Sequence, residues 1–184
     1  GYVRAAKLKA DVGTAKRLYE AIQMVFVNDD QAMVSFHKHN TSTKNVTVTM
    51  PDNTTESYNV AVICYLNGNK KQGNASTVDV MAGNSETQDF CTALTKQIER
   101  NTAGVTSGKR DIVFMPMKTN RINGRKVDTW VIVCRREKDA RGNYHETDVI
   151  EVWANHRYSG ASDNDNDNPI WRVYPGTCKE FSDD

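Results

Sequence analysis

The opening 33 residues constrain the fold more than any other part of the chain. They read "GYVRAAKLKADVGTAKRLYEAIQMVFVNDDQAM". Leu8, Val12, Ala15, Leu18, Tyr19, Ile22, Val25 and Phe26 recur at steps of three and four, which places them on one stripe of a helix with 3.6 residues per turn. Arg4, Lys7, Lys9, Asp11, Lys16, Arg17 and Glu20 fall mostly on the other side. No proline interrupts the run, and only Gly13 weakens it. The pattern predicts a single helix from Tyr2 to about Met33, roughly 40 Å long at about 1.5 Å per residue. An average helix has ~11 residues, so this one is long for its chain. The chain opens on Gly with no capping residue before it, so the expectation is a helix that continues from something longer.

Beyond the helix the pattern is mixed. "NVTVTM" alternates and is rich in β-branched residues, as a short strand would be. "ESYNVAVICYLNGN" is read as a helix on the face formed by Tyr58, Ala61, Val62, Tyr65 and Leu66, although Val60, Val62 and Ile63 favour a strand. "SETQDFCTALTKQIERNTAG" predicts a second helix, with Ser85 and Gln88 as a capping box and Phe90, Leu94 and Ile98 as its inward stripe. Four β-rich runs follow: "DIVFMPM", "TWVIVC", "VIEVWAN" and "IWRVY". Short polar links between them predict an antiparallel meander. Within "VIEVWAN" the alternation of Ile150, Val152 and Ala154 against Val149, Glu151 and Trp153 suggests a sheet with one covered face.

The expected class is therefore α+β: a long N-terminal helix packed on an antiparallel meander of about four strands, plus a short helix. A single domain over 1–184 divides into the long helix (1–33), a variable αβ region (34–84), the second helix (85–104) and the meander with the C-terminal region (110–176). A sheet about 20 Å across needs only the later turns of the first helix as cover. The turns from Tyr2 to Lys9 are expected to project.

Composition narrows the function. With 184 residues, 38% hydrophobic and 26% charged, the chain has material for one real core. A net charge of +1 argues against a dedicated nucleic-acid domain. No apolar run approaches the ~18 residues of a membrane span, and no signal-peptide pattern is visible. Phosphate loops, nucleophile elbows and zinc-protease motifs are likewise missing from the sequence, so an enzyme is not expected. Cys64, Cys91, Cys134 and Cys178 form no CxxC pair. They are candidates for disulfides in an oxidising location, or for buried thiols.

The helix carries a more specific signal. "YVRA" (Tyr2-Val3-Arg4-Ala5) and "LYEA" (Leu18-Tyr19-Glu20-Ala21) resemble the second, amphipathic half of the long N-terminal helix of type IV pilins and type II secretion pseudopilins, the clostridial members above all. That family shows a "Y-x-[KR]-A" step and an "IYxA"-like pattern there. "DFCTALTKQI", "WVIVC" and "VIEVW" are similar to the later half of clostridial pilins. The resemblance implies a membrane-anchored, methylated prepilin that becomes a subunit of an extracellular filament or pseudopilus, at the cell surface, without chemistry or a small-molecule substrate of its own. Its hydrophobic half-helix would lie before Gly1. Tyr2, Arg4, Ala5, Lys7 and Lys9 would contact neighbouring pilin subunits. Outward loops would set adhesion to a host surface, DNA contact or partner choice. The alternative is an exported adhesin or ligand-binding module that uses the loops at the sheet end.

Three further features are candidate sites. Asp163, Asp165 and Asp167 in "SDNDNDNP" resemble the start of a calcium loop, and some pseudopilins hold calcium in a C-terminal loop. Asn168 and Tyr174 replace the Gly and Glu that such a loop needs, so a solvated Asp/Asn loop is favoured. Arg121, Arg125, Lys126, Arg135, Arg136 and Arg141 would form a DNA or partner patch if their loops were neighbours, against the plainer reading of strand-flanking charge. His37 and His39 in "HKH" have no other ligand type at metal spacing, so both are expected at the solvated surface.

Overall fold

The structure is a computed structural model that describes residues 1–39, 41–68, 78–80, 87–101, 115–156 and 168–182. It is an α+β fold. Helix α1 (Tyr2–Asn28) is followed by α2 (Asp30–His37), strands β1 (Thr43–Thr49), β2 (Thr55–Asn67) and β3 (Val78–Val80), and helix α3 (Gln88–Asn101). A small hairpin, β4 (Arg121–Ile122) and β5 (Arg125–Lys126), precedes β6 (Thr129–Lys138), β7 (Tyr144–Asn155) and β8 (Trp171–Tyr174). A 3-10 turn at Lys179–Phe181 ends the described chain.

The long amphipathic run is helical, but it breaks five residues short of Met33. Asp29 leaves helical geometry at φ −142°, ψ 94°, and its side chain accepts from the Ala32 amide at 3.0 Å. A short polar side chain that caps a new helix competes with continuing the old one. α2 then turns Ala32, Ser35 and Phe36 into the core. Along α1 the expected stripe is buried at Leu8, Ala15, Leu18, Ile22 and Val25, with Val12, Tyr19 and Phe26 partly covered. α3 buries Phe90, Leu94 and Ile98 as expected.

The helix expected over residues 56–67 is instead β2, a 13-residue strand. It pairs antiparallel with β1 along residues 55–61, with β3 along 64–66 and with β6 along 59–67. A strand buried on both faces loses the period-two signature that would separate it from a short helix. The main path runs β1-β2-β6-β7-β8, with β3 beside β2. β6, β7 and β8 are consecutive in chain and space, as three of the four expected strands. Of "DIVFMPM", residues 111–114 lie outside the described residues and Met115–Met117 belong to no strand.

Residues paired across antiparallel strands share a sheet face. The face bearing Ile132, Cys134, Ile150 and Val152 receives the helices: Tyr19 of α1 stands edge-on to Tyr174 at 5.3 Å, and Phe36 of α2 contacts Phe90 of α3 and His39. The opposite face is covered too, since Ile150 through Asn155 are all buried, contrary to the single covered face expected there. The sheet curls enough for Arg172 Nη1 on β8 to donate to Tyr58 Oη on β2 at 2.9 Å, although β6 and β7 lie between them. That inner face holds a buried ionic network. Glu151 accepts from Tyr58 Oη, Arg135 Nε and Trp153 Nε1 at 2.7, 3.0 and 3.0 Å. Gly176, at φ +70°, lets the Arg172 guanidinium lie against its backbone, where Nε donates to its carbonyl at 2.8 Å; a Cβ there would meet Nη2 at 2.8 Å.

Asp11 departs from the expected polar side of α1. It lies three residues after Leu8 and four before Ala15, inside the apolar stripe, and is fully buried. Its oxygens accept from the Lys118 and Thr119 amides at 2.6 and 2.8 Å, tying the helix to the segment before β4. Burial outweighs these hydrogen bonds and raises its pKa above the ordinary 3.8. A carboxyl whose folded pKa is raised favours folding most below its ordinary value, and that contribution is lost as pH rises through the folded pKa. The expected result is that Asp11→Asn, compared with the parent by urea unfolding, gains relative stability as pH rises above the ordinary carboxyl value of about 4. A pH-independent difference contradicts this.

Candidate functional site

Two places in the described structure depart from what a purely structural core needs. The first is the N-terminal end of α1. Tyr2 is 91% and Val3 66% exposed. Arg4, Lys7 and Lys9 are exposed and Ala5 is half-buried, but Leu8 is buried, so the turns expected to project instead lie along the domain with their outer side open. Beside them runs a shallow groove between Tyr2, Ala5, Ala6 and Val12 on the helix and Thr177 and Phe181 near the C-terminus. Met24, Val27 and Val34 are also exposed at the far end of the helix layer.

The second place is a polar cluster on the helix-facing side of the sheet. A β-bulge builds it. Between the pairs Cys134–Ile150 and Arg136–Glu146, β6 advances two residues and β7 four. Bulges re-aim side chains in this way, and here Thr147 stabilises the bend by donating to the Arg135 carbonyl at 3.1 Å. The bulge brings Glu146 beside Cys134, beneath the link from α2 to β1. The last residue of α2 is His37, and the link supplies His39. His37 Nδ1 lies 3.0 Å from Glu146 Oε2. His39 Nε2 pairs with Glu146 Oε1, and His39 Nδ1 lies 3.0 Å from Thr41 Oγ1. Phe36 stands edge-on to both imidazoles.

The expectation that both histidines are solvated is therefore corrected for His39, whose side chain is 1% exposed. His37 stays exposed. Sequence spacing missed the cluster because Glu146 is 109 residues beyond His37, and only the β6–β7 pairing brings it back. Burial works against the Glu146 charge, but the hydrogen bonds and charges of His39 and His37 outweigh it and hold the carboxyl below its ordinary value. The Cys134 thiol is pushed up to about 12 by burial and the Glu146 charge. His39 Nε2, Cys134 Sγ and a Glu146 oxygen all lie within 4.8 Å of one another.

The remaining candidates are placed differently. The six basic residues do not converge. Arg121, Arg125 and Lys126 belong to the β4–β5 hairpin before β6, and Arg141 sits in the turn after it. Arg135 and Arg136 point to opposite sheet faces, paired with Glu151 and Glu146 respectively. Arg125 stacks over Trp171 at 5.7 Å. Asp163, Asp165 and Asp167 lie outside the described residues. All four cysteines are buried thiols, with no disulfide among them. Burial pushes the Cys178 thiol up to about 12 as well. No helix among the described residues is long and apolar enough to cross a membrane. No protein-family model, no curated protein and no solved structure matches this chain.

Proposed function

We propose that this chain is a non-catalytic structural subunit of an extracellular filament of the type IV pilus or pseudopilus kind, assembled through α1 with other subunits as its partners. One observation carries the reading. α1 spends its apolar stripe on its own domain from Leu8 to Val25, yet exposes Tyr2 and Val3 at its N-terminal end. Burying a large apolar side chain gains about 1.5–3 kcal/mol, so a neighbouring copy that covered these two would gain what the isolated domain forgoes. The exposed Met24, Val27 and Val34 offer further apolar surface to such neighbours. A helix layer laid on an antiparallel sheet suits the role, because the sheet fixes the helix while one end stays open to contact.

The test is a pair of substitutions, Tyr2→Lys with Val3→Asp. Exposed positions change folding stability by only about ±0.5 kcal/mol, so the domain's melting temperature is expected to hold. Incorporation into sheared surface filaments of the source cell is expected to fall at least tenfold. Normal incorporation of the double variant contradicts an interface at this end of α1.

A further inference from the structure

Independently of the filament reading, we propose that His39, Cys134 and Glu146 form a binding site for a zinc-class divalent cation, with His37 as the residue that orients the carboxylate. The donor set is the first argument. One imidazole nitrogen, one thiol sulfur and one carboxylate oxygen within 4.8 Å is a combination that suits borderline-soft zinc better than magnesium or calcium, which take oxygen ligands. A tetrahedral zinc with bonds of about 2.0–2.3 Å separates its ligands by about 3.3–3.8 Å. Cys134 Sγ would close by about 1 Å and the Glu146 oxygen would draw back from His39 Nε2, which it already touches, both within reach of side-chain rotation.

The second argument is how His39 is set. Its buried Nε2 meets no hydrogen-bond geometry among the described residues and stands against Glu146 Oε1, while Nδ1 lies 3.0 Å from Thr41 Oγ1. A neutral imidazole that donates from Nδ1 to that hydroxyl offers its Nε2 lone pair to a cation, with the carboxylate drawn aside to become a ligand beside it. Metal-bound histidines commonly have their other nitrogen fixed by such a partner, and bound carboxylates are held by an outer hydrogen bond. His37 supplies the latter at Oε2.

Charge balance agrees. Arg136 donates to the Thr41 carbonyl and Thr43 Oγ1 at 3.0 and 2.8 Å, and it stays 3.7 Å from Glu146. It leaves the carboxylate available while offsetting part of its charge. A cation that takes Cys134 as a ligand releases the thiol proton to solvent. The site would clip the α2–β1 link onto β6 and β7, and so fix α2 to the sheet.

The experiment uses the whole chain, stripped with a chelator and titrated with Co2+ and then Zn2+. The expected result is one cobalt per chain with tetrahedral ligand-field bands and a thiolate-to-cobalt charge-transfer band, displaced stoichiometrically by Zn2+. Cys134→Ser is expected to abolish the charge-transfer band, and His39→Gln and Glu146→Gln to weaken affinity at least tenfold. Cys91→Ser and Cys178→Ser are expected to retain the full spectrum. Far-UV circular dichroism verifies that each variant is folded. If His39→Gln unfolds, the wild-type and Cys134→Ser spectra decide the matter. A folded wild-type chain without the charge-transfer band, or a band that survives in Cys134→Ser, overturns the site and leaves His39 and Glu146 as a plain ion pair.

Discussion

Replacing Glu151 by Ala is expected to lower the unfolding free energy by about 3–5 kcal/mol, the cost of leaving a buried charge without its partner. Glu151 is 1% exposed and sits between two arginines. Its carboxylate accepts from Tyr58, Arg135 and Trp153. Removing it strands groups that cannot all reach water. Arg135 is 29% exposed and can turn outward, but Arg172 is 5% exposed. Among the described residues, Arg172 keeps the Gly176 carbonyl, the Tyr58 hydroxyl, the Met50 sulfur and a long contact to Glu56. The control is Glu56→Ala. Glu56 is 46% exposed and meets Arg135 at 3.2 Å, so its loss is expected to cost no more than about 1 kcal/mol. Urea unfolding monitored by tryptophan fluorescence reads both. Equal effects from the two variants contradict the view that the inner face of the sheet depends on a desolvated ionic centre.

The second large effect is expected at Phe36. Its ring is buried and lies edge-on to Phe26, at 5.0 Å, and to Phe90, also at 5.0 Å. One side chain thus joins α1, α2 and α3. It also contacts both imidazoles of the His37–His39 link. Phe36→Ala opens a cavity that three separate helices cannot easily close together. A cost of about 3–5 kcal/mol is expected, which lowers the melting temperature by roughly 2–4 °C per kcal/mol in a chain of this size. Val34→Ala, two residues away on the exposed side of α2, is expected to stay within about 0.5 kcal/mol. A small loss at Phe36 would mean that the helix layer is not one packed unit.

Much of the helix layer was legible in the sequence, because helical periodicity is local. The stripe from Leu8 to Phe26 and the Phe90–Leu94–Ile98 face both follow from spacing. Even the two errors there had readable signals. The N-D-D step at Asn28–Asp30 contains the capping aspartate that ends α1, and Asp11 falls at stripe spacing despite its charge. Strand β2 was less legible. Val60 to Leu66 are buried without alternation, so the β-branched residues carried the only correct signal. The candidate metal cluster could not be read at all. Its parts are local only in the "HKH" pair, and the bulge that turns Glu146 toward Cys134 is a product of sheet pairing. The same holds for Tyr58 and Glu151, which are 93 residues apart.

The filament assignment is tested most directly by locating the chain on cells that express its gene. Surface structures are sheared from the cells, and an antibody raised against the purified domain is followed by immunogold electron microscopy. Labelling spaced along thin filaments, lost when the gene is deleted, is the result this account predicts. A chain found only as soluble protein, with filaments unlabelled and unchanged by the deletion, would contradict it.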